Sequence, residues 1–258
     1  MNNSDYSTDI LGKKIFFLHP AAVVQNRIIP ELVQQEYEVY IIKDHTALRK
    51  ILRKYSDSIV FIDIGEHMAE NEWEAWVRTT MVDPVTKNIS FGVVTAIEEE
   101  TLQRKYINSL RVSCGYTLLK SNLDSSIKQI DEILKMAGAR GRRKYLRAIT
   151  DIGDLTTVNL PLNGEYINGT IKDISVVGLS CSFDHDPELV KNTLVKDIQI
   201  KLQSSILKGE GIIFGTRMDG LSKVYVLLFT QRIDPDIRTK IRKYIQYNLQ
   251  SKMDKELV

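Results

Sequence analysis

Short apolar runs recur along the first half of the chain, each followed by a longer stretch whose apolar residues return at helical spacing. The runs KKIFFL, YEVYIIK, DSIVFIDI, ISFGVVT and GYTLL are apolar at nearly every position, as in strands covered on both faces. Between and after them, residues 25–35, 46–55, 71–81, 98–113 and 123–136 carry the helical period. Five strand–helix units in succession predict a doubly wound parallel sheet over residues 13–137.

Past GARGRR the pattern changes. The segments TTVNLPLNG, YINGTIKDI, GLSCSFD, VKDIQIKLQ, GEGIIFGTRM and KVYVLLFTQR follow one another with Gly, Asn and Asp between them. Strand next to strand predicts an antiparallel sheet or barrel, with Asp219-Gly220 as a hairpin turn. A last segment opens near Pro235 and places Ile237, Ile241, Tyr244, Ile245 and Leu249 on one face, an amphipathic helix that closes the barrel. The expected class is therefore α/β plus mainly β. Its parts are a polar, disordered N-terminus (1–12), an α/β domain (13–137), an Arg-rich hinge (138–147) and a barrel domain (148–258).

Composition narrows the chemistry. With 258 residues, 43% of them apolar, the chain can bury two cores. Lys and Arg total 35 against 33 acids, so any basic site is local. Cys114 and Cys181 follow no metal or disulfide spacing, which predicts reduced, buried thiols and no metal site. No apolar run approaches the roughly 18 residues of a membrane span, so a soluble cytoplasmic protein is expected. No acid/base pair or activated nucleophile stands out, and neither an enzyme nor a cofactor is expected.

Three strand ends carry polar residues: Asp63 after the third strand, Thr95 after the fourth, Lys120 after the fifth. In that order they resemble the receiver domain of two-component signalling over residues 13–136, which implies Asp63 as a phospho-acceptor. Two departures weaken the chemistry. Leu18, His19 and Pro20 stand where the family holds Mg²⁺ with an acidic pair, and Ser121 stands where it has Pro. Without hard carboxylate ligands the metal that neutralises a phosphoryl group has little to hold it. The expectation is a degenerate receiver used for contact with a protein partner, and a phosphorylation-regulated response regulator is the alternative.

The stretch GRRKYLRAI concentrates positive charge just ahead of the barrel. An Arg-x-x-x-Arg pair occurs three times, at Arg49/Arg53, Arg143/Arg147 and Arg238/Arg242. The first and third fall in predicted helices and read as surface charge. The middle one lies on a turning chain, where two guanidinium groups can converge on one anion. Asp173, Ser175 and Gly178 form an Asp-x-Ser-x-x-Gly pattern 26 residues after Arg147. Alone, that is an ordinary turn between strands. The two patterns together resemble the PilZ domain, a bacterial receptor for cyclic di-GMP, over residues 142 to about 249.

The resemblance implies a site of Arg142, Arg143, Arg147, Asp173, Ser175 and Gly178 with cyclic di-GMP as its ligand. Planar guanidinium groups suit phosphate oxygens and the guanine O6/N7 edge. A carboxylate suits the guanine N1–H and N2–H donors, with the Ser175 hydroxyl beside it. Gly178 lets backbone approach the purine. The resemblance further implies an Arg segment that is mobile without ligand and folds over it. Arg142 leaves room for an intercalated pair of ligand molecules, while Arg140 and Lys144 read as solvated charges. A nucleic-acid contact at GARGRRK is a further alternative, and the near-neutral net charge argues against it.

Other candidates read as structure. His185 between Asp184 and Asp186 belongs to a surface loop before Pro187, and His67 beside Glu66 to a polar loop. Trp73 and Trp76, with Met68 nearby, are expected in a core rather than on a partner face.

Overall fold

In a computed structural model of the chain, residues 12–65, 67–151, 156–162 and 164–257 are described. The expected disorder over 1–11, and Glu66, lie outside them. Gly12 is described and bridges to Arg140. The described residues divide into two compact units, one within Met1–Lys144 and Leu249–Val258, the other within Tyr145–Asn248.

The first unit is built on five parallel strands, β1 (Ile15–Leu18), β2 (Val39–Ile42), β3 (Ile59–Ile62), β4 (Ser90–Thr95) and β5 (Tyr116–Leu118), in the order β2-β1-β3-β4-β5. That is the flavodoxin-like, receiver-like doubly wound order. Helix α1 starts as a wide turn over Val24–Ile28 and continues through Ile29–Gln34. Then follow α2 (His45–Lys54), α3 (Glu70–Val82), α4 (Glu100–Arg104, continued by a second wide turn, Lys105–Ser109) and α5 (Leu123–Met136). The Asp44 carboxylate caps α2 by accepting from the Thr46 and Ala47 amides at 2.7 and 3.0 Å.

Two cores explain why the strands are apolar throughout. Phe16, Leu18, Val60 and Ile62 enter one cluster, while Ile15, Phe17, Ile59 and Phe61 enter the other. Successive side chains point to opposite faces, and both faces are covered. Trp73 and Trp76 belong to the first cluster, as expected. Each fully buried large side chain contributes roughly 1.5–3 kcal/mol.

The second unit is an antiparallel barrel. Its strands are β6 (Ala148–Ile149), β7 (Thr156–Leu162), β8 (Glu165–Ser175), β9 (Gly178–Phe183), β10 (Leu194–Leu202), β11 (Ser205–Asp219) and β12 (Ser222–Phe229). The order β8-β7-β10-β11-β12-β9 closes through a β8–β9 pairing, and the short β6 adds to β8. Pairing of Asp219 with Ser222 leaves a two-residue turn in which Gly220 takes φ +59°, the turn that matches strand twist.

Helix α6 (Pro235–Leu257) buries Ile241, Tyr244 and Ile245. Its last turns count with the first unit, because Met253, Leu249 and Leu257 join a core there. The Gln250 amide donates to the Ile41 carbonyl and accepts from the Ile41 N–H, each at 2.9 Å. Ile41 lies on the edge strand β2, whose backbone groups would otherwise lack a partner on that side. The fold class read from the pattern, a doubly wound parallel sheet followed by an antiparallel barrel with a helix after it, is the observed one.

Candidate functional site

Arg147 precedes β6 and Asp173 lies near the end of β8; the pairing of Ile149 with Asp173 brings the two strands side by side. Arg147 Nη1 donates to Asp173 Oδ1 at 3.0 Å. Ser180, paired with Asp173 from β9, donates its hydroxyl to Oδ2. Arg217 of β11 brings Nη2 to 3.8 Å from the same Oδ2. The carboxylate is therefore held from three sides, and both arginine side chains remain about half exposed at 44% and 54%.

Register places this cluster on the outer wall. Asp173 pairs with Ser180, Ser180 with Val226, and Val226 with Gly215, giving one row across β8, β9, β12 and β11. Paired residues share a face. The neighbouring row, Ile174, Leu179 and Leu227, is buried and points to the other face, into the barrel. Just beneath Asp173, burial and then the Asp173 charge push the Cys181 thiol up to about 12, so it is inert at neutral pH.

The other motif residues shape the chain. Ser175 is buried and donates its hydroxyl to the Gly178 carbonyl at 3.1 Å, closing the β8–β9 turn that presents Asp173. At Gly178 a Cβ would meet the Leu227 carbonyl oxygen at 2.3 Å, so what approaches closely is the neighbouring strand β12. Arg142 and Arg143 are exposed in the last residues of the first unit. Ser180 and Arg217 are the partners of Asp173 that sequence reasoning did not single out. Ser180 is two positions past Gly178 and detectable by alternation; Arg217 is 44 residues from Asp173 and carries no local signal.

At the carboxyl ends of the parallel strands Asp63 is buried, its N–H donating to the Leu18 carbonyl at 3.3 Å and its Oδ1 accepting from the Gly65 N–H at 3.1 Å. Thr95 is buried and Lys120 exposed. In place of acids, His19 stacks on His67 with ring centroids 3.8 Å apart and meets the edge of Trp73 at 5.9 Å. Both histidines have positive φ, +50° and +69°, a conformation few side chains adopt.

Burial, then the charges of His67 and His45, lower the His19 imidazole to about 4, with Asp44 opposing. The unfolded chain takes that proton near 6.5, so the native state is disfavoured as pH falls from about 6.5 to 4 and no further below. With solvent screening at this partly accessible ring, the effect is about 1–2 kcal/mol. Denaturant midpoints at pH 7.0, 5.5 and 4.5 are expected to fall, and His19→Gln to flatten that fall; equal slopes would remove His19 as the cause.

No family model matches the chain, and neither does any curated protein. Solved structures similar to it include the PilZ domain, with c-di-GMP, of YcgR from Escherichia coli: 14% identity over 44% of this chain and 95% of that one, TM-score 0.36. The K. pneumonia MrkH–c-di-GMP complex is 18% identical over 45% of this chain and 57% of its own, TM-score 0.40. The Mn(2+)-bound response regulator Rcp1 is 18% identical over 49% of this chain and 94% of its own, TM-score 0.39. The chain thus spans little more than half of MrkH. Among the described residues no helix is long and apolar enough to cross a membrane.

Proposed function

We propose that this protein is a non-enzymatic, cytoplasmic receptor for cyclic di-GMP. Its barrel binds the second messenger, and its N-terminal unit passes the event to a protein partner. The observation that carries the reading is the meeting of Arg147 with Asp173 at 3.0 Å on the outer barrel wall. Residues 26 apart in sequence thus form one cluster of guanidinium, carboxylate and hydroxyl.

Without ligand, Arg147 and Asp173 satisfy one another. A guanine nucleotide offers each a better complement: phosphate oxygens or the O6/N7 edge for Arg147, and the N1–H and N2–H pair for Asp173. Binding exchanges one ion pair for two charge-assisted contacts. Arg142 and Arg143, a few residues upstream, add guanidinium groups as the segment 138–147 folds over the ligand. Ser175 and Gly178 hold the turn that fixes Asp173.

Calorimetric titration with cyclic di-GMP is expected to give micromolar or tighter binding, with small-angle scattering of the saturated sample differing from the free protein. If two molecules intercalate, Arg142→Ala lowers the stoichiometry from two to one. Absence of micromolar binding overturns the receptor reading; binding with unchanged scattering confines the switch to the barrel.

A further inference from the structure

Arg147 approaches Asp173 from one side of the wall, and Arg217 of β11 faces the same carboxylate from the other at 3.8 Å. From Asp173 the row runs through Ser180 and Val226 to Gly215 on β11. Three inter-strand steps of about 4.8 Å make this about 14 Å of surface. It begins at a carboxylate and a hydroxyl, crosses one half-buried apolar side chain, and ends where there is no side chain. A Cβ built on Gly215 would meet nothing within 4 Å.

Gly215 ends a register irregularity that begins at Ile213, a place where glycine is common, but neither a positive φ nor crowding requires glycine there. Gly inside a strand weakens the strand and marks a bulge or a place where something approaches the backbone closely, and here the open space over Gly215 leaves room for a ligand as well. Two residues on, Arg217 shares the face and reaches back to Asp173 at 3.8 Å. Its guanidinium is thus the counterpart of Arg147 on the opposite flank of the same carboxylate.

We propose that β11 supplies the second half of the ligand floor, with Arg217 as a ligand-contacting cation and Gly215 as the gap over which the second purine nucleotide moiety lies. This rests on the cyclic di-GMP reading and deepens it. Asp173 and Arg147 engage one nucleotide of the cyclic dinucleotide; Val226, Gly215 and Arg217 take the other. The planar guanidinium of Arg217 can stack on a purine face or pair with a phosphate, for which a lysine ammonium is a poor substitute. A surface extending from Asp173 to Gly215 has room for both nucleotides of a cyclic dinucleotide.

The test is calorimetric titration of the full chain with cyclic di-GMP, run on wild type, Arg217→Ala, Arg217→Lys and Gly215→Val, with thermal unfolding of each. Arg217→Ala is expected to weaken binding about 10-fold or more, and Arg217→Lys to recover only part of it. Gly215→Val is expected to weaken binding at least about 10-fold with unfolding temperature unchanged or raised, because a β-branched residue in open space favours the strand. Wild-type affinity in both Arg217→Ala and Gly215→Val overturns the β11 floor and leaves the receptor reading standing. No binding by wild type removes both.

Discussion

Replacing Arg147 with alanine is expected to weaken cyclic di-GMP binding by about 10- to 150-fold, equivalent to roughly 1.5–3 kcal/mol for one charge-assisted contact. The barrel should stay folded. The Arg147–Asp173 pair is half exposed on the arginine side, and pairs of that kind contribute about 1 kcal/mol or less to stability. Asp173→Ala should cost comparable affinity, since it strands the guanine donors. Two arginines on helices are the controls. Arg49 on α2 donates to the Trp76 carbonyl at 3.2 Å and the Thr80 hydroxyl at 3.1 Å, and Arg238 lies on α6. Their alanine variants should remain within about twofold of wild type. If they weaken binding as much as Arg147→Ala, the attraction is diffuse charge and the site is misplaced.

Gly178→Ala is expected to cost the barrel about 3 kcal/mol, the upper part of the range for overpacking, because the obstacle is backbone. The new methyl would sit 2.3 Å from the Leu227 carbonyl oxygen and 3.1 Å from the Leu228 Cα. Relief requires parting β9 from β12 where Gly178 pairs with Leu228 and Leu179 with Leu227. For a domain of this size that lowers the unfolding temperature by on the order of 10–20 °C. Differential scanning calorimetry reads it directly, with Gly215→Ala, whose methyl meets nothing, as the control. A loss under about 1 kcal/mol would show that β9 shifts freely. Because the same glycine's carbonyl accepts from Ser175 in the turn behind Asp173, the variant should lose ligand affinity as well.

The sequence by itself determined what depends on near neighbours along the chain. Alternation in β1 and β3 sends Phe16 and Phe17 to opposite cores, and it is visible because side-chain direction in a strand repeats every two residues. Helical period located α5 at Leu123–Met136. The motif residues Arg147 and Asp173 were legible as types in a pattern. Their meeting was implied only by resemblance, since strand order in a barrel is settled by the packing of the whole domain.

Tertiary structure alone decided the rest. Arg217 reaches Asp173 through the neighbour order β8-β9-β12-β11, a sequence of non-local pairings with an irregularity between Ile213 and Gly215. No local period encodes that order. His19 and His67 stack because β1 and β3 are adjacent parallel strands whose carboxyl ends open on the same side. The last turns of α6 join the first unit because a core there accepts Met253 and an edge strand accepts the Gln250 amide. A helix's apolar face shows in the sequence as a stripe, but which surface it covers depends on where the complementary surface lies once the other elements have packed.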